Sequence, residues 1–271
     1  MSFLPSILFD GEYRVLGALE APQLAGSSYA SFQDNFGYAS GAPIKEIDLS
    51  WLSDDIKNQG STNSCAGQAS TGAGEICYSQ LGNPQIVFSP YFTYAQINGG
   101  YDNGAYVADA IDSLKKFGAC PIEYVPKGAL YKNQMPKDTY TQASRYKVIK
   151  AYKLVGFQQI LQALNLGFAV VFGITVGGNF SQTDSNGVPP LRPRGGTGGH
   201  VLCGCGIKKI GGDYTVKTKN SWGKGFGQDG YCYLTEGHFS TVDNYGAYAL
   251  QAFQDDPKDP DPTDDVPNPN F

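Results

Sequence analysis

The spacing of hydrophobic positions changes near the middle of the chain. Over Ala105–Phe117 and Phe157–Leu166, apolar residues recur at helical intervals, and a glycine follows each stretch as a stop signal. Cys65–Gln80 also predicts a helix, although three glycines weaken it. From Ala169–Val176 onward, continuous apolar and β-branched residues are typical of buried strands.

More strands are predicted in the second half of the chain. Val201–Ile207 and Tyr214–Thr218 are expected to form a hairpin around Gly211-Gly212. Helices therefore precede antiparallel strands, and this segregation predicts an α+β fold with two lobes and a cleft between them. The further predicted strands are Val201–Ile207, Tyr214–Thr218, Tyr231–Leu234 and Tyr248–Phe253.

Three segments differ in composition. Residues 1–43 show no sustained period and are expected to form an irregular N-terminal arm, so the folded domain is expected over residues 44–254. Residues 255–271 contain six Asp, one Lys and many prolines, and they alone account for the net charge of −5. This acidic tail favours neither helix nor central strand and is expected to be a solvated extension or a docking arm for a protein partner.

Charge and hydropathy exclude several classes of function. Without the tail, 19 basic and 19 acidic side chains balance, so a nucleic-acid partner has no basic surface to bind. No apolar run is long enough to span a membrane. The N-terminus lacks the basic region of a secretory signal, which predicts a cytoplasmic or assembly-associated protein.

The six cysteines do not form a metal-binding pattern. They contain no Cys-x-x-Cys pair, and neither histidine lies near a suitable pair, so no metal site is predicted. Without a secretory signal, free thiols are expected at all six positions. The positions are Cys65, Cys77, Cys120, Cys203, Cys205 and Cys232.

Chemistry near neutral pH points first to the two histidines. His200 opens a predicted strand after a long loop rich in glycine and proline, whereas His238 lies in a late turn and is expected to be structural or solvated. Cys65 opens a predicted helix, where unpaired N–H groups and the helix dipole favour the thiolate. Asn220 follows a predicted strand, and its amide could fix the tautomer of an imidazole under the cover of Trp222.

Taken in order, these segments resemble the papain family of cysteine peptidases. Gln59 stands six residues before Cys65, as in the family's nucleophile segment, and Asn98-Gly99-Gly100 resembles the glycine-rich wall of its substrate cleft. The matching segments are Lys57-Asn58-Gln59-Gly60-Ser61 with Ser64-Cys65, Asn98-Gly99-Gly100-Tyr101, Gly199-His200-Val201, and Lys219-Asn220-Ser221-Trp222-Gly223.

The resemblance implies a helical N-terminal lobe, a β-barrel-like C-terminal lobe and a thiol peptidase that needs neither cofactor nor metal. A polypeptide would be its substrate. Cys65 would be the nucleophile, His200 its base, Asn220 the orienting group and Gln59 an oxyanion donor. Substrate would contact Gly99, Gly100, Gly199, Val201 and Trp222.

The chain also departs from the family pattern. Family members usually carry a disulfide-bonded pair of cysteines where this chain has Thr62 and Ile97, and a tryptophan where it has Ala66. The joint absence of both cysteines agrees with a protein that is not exported. The family's inhibitory prosegment is longer than residues 1–43, but this arm could still plug the cleft or dock to a partner.

The alternative function is a structural or binding subunit of a larger assembly, for example a virus particle, that keeps the fold. A transferase or amidase using the same thioester chemistry also remains open. An ordered N-terminal arm across Cys65, with no route to release it, would favour the subunit, whereas an intact set of Gln59, Cys65, His200 and Asn220 favours the peptidase.

Overall fold

A computed structural model describes residues 5–22, 29–37 and 42–253. The acidic tail lies outside these ranges, so its expected role as a docking arm is not addressed. None of the helices in the described ranges is long and apolar enough to cross a membrane.

The helical lobe is built around one central helix, α2, which is buried along nearly its whole length. Its many small residues let neighbouring backbone approach closely: a Cβ at Gly67 would lie 2.4 Å from the carbonyl oxygen of Pro90 in α3. Three polar side chains of α2 are buried too and are hydrogen-bonded: Gln68 donates to Ser64 Oγ, Thr71 donates to the Gly67 carbonyl, and Glu75 accepts from Lys57. The helices are α1 (Phe32–Phe36), α2 (Cys65–Gln80), α3 (Pro90–Ile97), α4 (Val107–Lys116), α5 (Lys137–Ala143), α6 (Gly156–Asn165) and α7 (Val242–Tyr245).

The other lobe is one mixed sheet of eight strands plus a separate two-stranded hairpin. Its main path runs β3-β5-β10-β6-β7-β8-β9, with β4 paired to β7, and the described strands do not close into a barrel. The expected barrel-like lobe is therefore an open sheet. The strands are β1 (Ser6–Phe9), β2 (Glu12–Val15), β3 (Ala30–Ser31), β4 (Ile47–Asp48), β5 (Val148–Leu154), β6 (Ala169–Gly177), β7 (Thr197–Ile210), β8 (Asp213–Lys219), β9 (Tyr231–Leu234) and β10 (Ala247–Phe253).

Two hydrophobic cores flank this sheet. One joins the sheet to α2 and α4, and the other lies among the sheet, α6 and aromatic residues that include Phe172 and Trp222. Strands β6 and β7 pair over eight residues, so His200 on β7 faces Ile174 across the ladder. This long antiparallel pair fixes the position of His200 relative to α2.

The prediction that the first 43 residues are irregular is wrong for the parts that the structure describes. Strands β1 and β2 form a hairpin whose turn places Asp10 and Gly11 at positive φ. Strand β3 adds to β5 in parallel, and Phe32 of α1 is 1% exposed in the core. These elements are too short to show a period. Strands β1 and β2 pair with each other, whereas β3 is held by pairing with the distant strand β5.

Candidate active site

Cys65 occupies the first residue of α2, as predicted, but its sulfur is fully buried. Burial raises the pKa of the Cys65 thiol to about 11, against the opposing effect of backbone N–H groups of Val201 and Gly17 that face the sulfur. The sequence favoured a thiolate at this helix terminus. In the structure the thiol is neutral at pH 7, because desolvation outweighs the N–H groups.

His200 and Asn220 form the second part of the site. His200 Nε2 lies 2.8 Å from Asn220 Oδ1, an acceptor, so Nε2 carries the proton in the neutral ring. His200 Nδ1 is buried and has no hydrogen-bond partner in the described residues. Burial lowers the pKa of His200 to about 4, although the bond to Asn220 opposes the shift. The imidazole is therefore neutral at pH 7, with the lone pair on Nδ1 unused.

Aromatic rings cover the bond between these two residues. The ring of Trp222 lies 5.0 Å from the ring of His200, and Phe180 meets Trp222 edge to face. Phe9 of the N-terminal hairpin packs on the same tryptophan, at 6.0 Å between ring centroids. Water is thus kept from a hydrogen bond that it would otherwise weaken.

The side-chain amide of Gln59 is held in one orientation. Its Oε1 accepts a bond from Ser221 Oγ at 2.7 Å, so its Nε2 is turned toward the cleft. Nε2 donates to the carbonyl oxygens of Thr62 at 2.9 Å and of Val15 at 3.0 Å. A main-chain carbonyl of the N-terminal segment is therefore bound to the Gln59 amide. Sequence reasoning missed the contribution of Ser221, since nothing in a motif indicates what a serine hydroxyl binds.

The N-terminal segment 15–19 runs through the cleft between the two lobes. Ala18 N donates to Gly199 O at 3.0 Å, and Leu19 N donates to Ala105 O at 3.1 Å. Ala105 N in turn donates to Gly17 O at 2.9 Å. The segment is therefore antiparallel to the strand at Gly199 and parallel to the wall at Ala105.

Only glycine fits at the centre of this segment. A Cβ at Gly17 would lie 2.3 Å from Asn63 O, and a Cβ at Gly104 would lie 2.2 Å from Gly17 O. Both contacts are with backbone atoms, which cannot move aside as a flexible side chain can. The arm and the cleft are therefore complementary in shape at the residue that faces the Cys65 sulfur.

Comparison with known proteins shows the family. The profile described as papain family cysteine protease matches residues 48–250, most of the chain. The chain belongs to the papain family of cysteine proteases.

Individual relatives of this papain-family chain are distant. An uncharacterised peptidase C1-like protein of Acanthamoeba polyphaga mimivirus is 30% identical over 145 residues, which are 48% of this chain and 46% of that protein. The chain thus matches about half the length of this curated relative.

Two solved structures share the fold. Xylellain, a cysteine protease from Xylella fastidiosa, superposes with a TM-score of 0.73 at 22% identity, covering 91% of this chain and all of the other. Procathepsin B of Trypanosoma congolense gives a TM-score of 0.70 at 16% identity, covering 89% and 87% of the two chains. The two-lobe α+β architecture predicted from the sequence is confirmed by these similarities.

The residues expected to bind substrate are only partly brought together. Gly199 lies in the cleft, and Trp222 covers the histidine. The side chain of Val201 is 1% exposed and packs in the core, so only its backbone faces Cys65. Gly99 and Gly100 are exposed, and the Gly100 amide binds locally to the side chain of Asn98.

The cleft wall is formed instead by Gly104 and Ala105, five residues later. The sequence Asn103-Gly104-Ala105 differs from Asn98-Gly99-Gly100 only in its final alanine. Because of that alanine, it was not recognised as an Asn-Gly-Gly segment. The backbone of Ala105 supplies the two hydrogen bonds expected of this wall.

A buried charged cluster lies behind Asn220. Glu75 has no exposed surface and accepts from Lys57 Nζ at 2.6 Å and from Ser53 Oγ at 2.7 Å. Lys219 Nζ donates to the carbonyl and hydroxyl of Ser53, both at 2.8 Å. The cluster joins β8 to α2 next to Asn220. Burial lowers the pKa of Lys57, but Glu75 and Asp55 outweigh it and the net shift is upward.

His238 is structural, as the sequence indicated, but it is not solvated. Its Nδ1 accepts from the Thr235 amide at 3.1 Å, and its Nε2 lies 3.1 Å from the carbonyl oxygen of Pro189. Both partners are main-chain groups. His238 therefore connects the long loop before β7 to the turn after β9. Burial lowers the pKa of His238.

The six thiols are all buried and free. In the described ranges, no group of three or more His, Cys, Asp or Glu side chains is placed to hold a metal ion.

Proposed function

We propose that this papain-family chain is a cysteine endopeptidase that hydrolyses polypeptides through a thioester acyl-enzyme. The observation that carries the proposal is the Val15 carbonyl, which accepts from Gln59 Nε2 at 3.0 Å beside Cys65. A main-chain carbonyl thus binds where an oxyanion would form. The same cleft binds peptide backbone through Gly199 and Ala105.

In the proposed reaction His200 Nδ1 takes the proton of the Cys65 thiol, and the sulfur attacks the scissile carbonyl carbon. The Gln59 amide and the Cys65 backbone N–H stabilise the oxyanion, at about 3–4 kcal/mol per donor in comparable sites. His200 then gives its proton to the leaving amine, and the thioester forms as the C–N bond breaks. Water, deprotonated by His200, hydrolyses the thioester, and the proton returns to sulfur.

Asn220 supports each step without touching substrate. Its Oδ1 is itself held by the Ser221 backbone amide at 2.8 Å, so it cannot rotate away from His200. With the proton on Nε2 fixed by this bond, Nδ1 remains the nitrogen that exchanges protons with sulfur. The tautomer needed for catalysis is therefore set before substrate arrives.

The arm makes the described conformation a latent one. It fills the proposed oxyanion position and binds the backbone of Gly199 on one side and of Ala105 on the other. It also leaves Cys65 and His200 without exposed surface. In this state the thiol and imidazole are both neutral. Displacement of residues 15–19 would admit water and substrate, and would let the charged pair form.

The test compares three full-length chains under reducing conditions: the natural sequence, Gly17→Val, and Gly17→Val with Cys65→Ala. Cleavage of an unstructured protein is followed, and a peptidyl epoxide is used to label the nucleophile with mapping by mass spectrometry. We expect Gly17→Val to cleave and to be labelled at Cys65 at least tenfold faster than the natural chain. Cys65→Ala should reduce cleavage by at least about a thousandfold and leave the melting temperature nearly unchanged. Labelling at another cysteine would refute the assignment.

A second candidate is a structural or binding subunit that keeps the fold. It is favoured by the complete burial of Cys65 and His200 beneath an arm that is itself folded onto the domain. For such a subunit, Gly17→Val would expose Cys65 to small alkylating reagents but would still cleave nothing. That outcome would replace the peptidase proposal.

A further inference from the structure

Asp102 connects the two segments that form the cleft beside Cys65. Its Oδ1 accepts from the Asn63 backbone amide at 2.9 Å and from the Tyr94 hydroxyl at 2.6 Å. Its backbone carbonyl accepts from the Asn63 side-chain amide. One residue thus binds both the main chain and the side chain of Asn63, which lies two residues before the nucleophile.

The other end of this connection is the substrate-binding wall. Tyr94 is fully buried, and its hydroxyl oxygen accepts from the Gly104 amide at 3.1 Å while its proton goes to Asp102. Burial, reinforced by the bond to Asp102, raises the pKa of Tyr94, so the hydroxyl remains a donor. Ala105 follows directly and offers its N–H and C=O to whatever lies in the cleft.

The wall and the nucleophile segment need such a connection. Gly17 is held between Asn63 O and the backbone of Gly104, and each contact leaves no space for even one added carbon atom. The distance between the two segments therefore decides whether an extended peptide fits with its carbonyl against Cys65. In this chain the hydrogen bonds between Asp102 and Asn63 make that connection.

We propose that Asp102 is a positioning residue, which holds the Ala105 backbone at the spacing from Cys65 that an extended peptide requires. The proposal rests on the proposed peptidase function for its catalytic consequence, and it has a separate structural consequence that does not. Asp102 acts through Asn63, Tyr94 and Gly104 and touches no reacting atom.

The structural test is amide hydrogen exchange in the full-length chain with the arm in place. The Ala105 amide, which donates to Gly17, should exchange at least tenfold faster in Asp102→Ala. Asp102→Asn keeps an acceptor oxygen for Asn63 and Tyr94 and should stay within about threefold of the natural chain. Asn103→Ala alters the adjacent exposed side chain and serves as the matched control, with no change expected.

The catalytic test uses Gly17→Val as the parent and two substrates. A long peptide, with at least three residues before the cut, reaches Ala105; an N-acyl amino acid ester does not. In Asp102→Ala, kcat/KM for the peptide should fall at least tenfold, while kcat/KM for the ester and the iodoacetamide reactivity of Cys65 change less than twofold. A loss of folded protein would lower both substrates equally.

Each outcome decides the proposal. An unchanged exchange rate at Ala105, or an unchanged ratio between the two substrates, would overturn it. If the parent cleaves neither substrate, the proposed function fails, and the exchange experiment alone decides whether Asp102 positions the wall. If Asp102→Ala does not fold, Tyr94→Phe removes one of the two donors to the carboxylate, and the same comparisons are made with it.

Discussion

At the scale of single residues, the two histidines have opposite relations to their surroundings. His200 has one nitrogen bound and one unused, whereas both nitrogens of His238 are occupied. An unused buried nitrogen carries an energetic cost that a stable fold normally avoids. In His200 this leaves Nδ1 free to accept a proton, as the proposed function requires, whereas the bonds of His238 hold two backbone segments together.

We therefore expect His238→Ala to destabilise the fold without a direct effect on chemistry. The substitution leaves the Thr235 amide and the Pro189 carbonyl without their partner, at a cost of about 1–3 kcal/mol. Thermal melting should show the loss, while epoxide labelling of Cys65 in Gly17→Val should be unaffected well below the melting temperature. An unchanged melting temperature would mean that the loop before β7 does not depend on the hydrogen bonds of His238.

The lowered pKa of His200 gives stability a definite dependence on pH. Between about pH 4 and 6.5, the unfolded chain protonates this histidine and the folded chain does not. The unfolded state binds more protons, so the free energy of unfolding rises with pH across this window and is lost as the pH falls through it. The shift of His238 acts in the same direction.

The measurement is the melting temperature from pH 3.5 to 7 for the natural chain and for His200→Gln. Carboxylates titrate in both chains, so only the difference between the two curves reports on His200. We expect the natural chain to lose more stability on acidification than the variant. Parallel curves would argue against a neutral buried imidazole.

At the scale of elements, the N-terminal region divides into two parts with different roles. The hairpin β1–β2 and residues 15–19 cover the cleft, whereas β3 and α1 are built into the sheet lobe. Phe32 packs with Phe36 and Phe168 and is almost completely buried. The second part belongs to the folded domain, although it precedes residue 44, where the domain was expected to begin.

Phe32→Ala should therefore lower the free energy of unfolding by about 3 kcal/mol, the cost of truncating a buried aromatic ring. Leu8→Ala, in the hairpin, changes a side chain that is 61% exposed and should cost less than about 0.5 kcal/mol. Urea denaturation of both chains measures the difference. Equal effects would mean that β3 and α1 are as dispensable to the domain as the hairpin surface.

The elements that sequence could predict are those whose signal is local. The hairpin at Gly211-Gly212 carries its own turn residues, and the helix over Cys65–Gln80 could be predicted even without a side-chain cap; both are confirmed. The turn of the N-terminal hairpin also had a local signal, Asp10-Gly11 between two apolar runs, which was overlooked. Strand β3 had none, because two residues paired to β5 have no period.

The candidate site likewise has features that local sequence predicts and features that depend on tertiary contacts. Gln59, Cys65, His200 and Asn220 could be proposed from the sequence because each stands in a short motif. The thiol pKa could not, since it depends on how the N-terminal arm buries the sulfur. Ala105 could not be preferred over Gly100 without knowing which backbone lies beside Gly17.

At the scale of the whole molecule, the accessibility of the cysteine thiols to a reagent measures how tightly both lobes are packed. All six cysteines are buried, and burial raises the pKa of each. A chromogenic disulfide reagent should thus titrate almost no thiol in the native chain within minutes at pH 7. In denaturant without reductant it should titrate six. A denatured count of four or fewer would indicate a disulfide.

The attachment of β3 to the sheet lobe also limits how far the cleft-filling residues can go once they leave. Only six residues separate Pro22 from Tyr29, and an extended chain covers about 3.5 Å per residue, so Pro22 stays within about 25 Å of its anchor. Such a tether gives an effective concentration on the order of millimolar. Release of residues 15–19 from the cleft is then a reversible, unimolecular equilibrium. A substrate must compete with a segment that stays tethered near the cleft. In the natural sequence, lasting exposure of Cys65 would require either a backbone cut or a partner that captures the released strand.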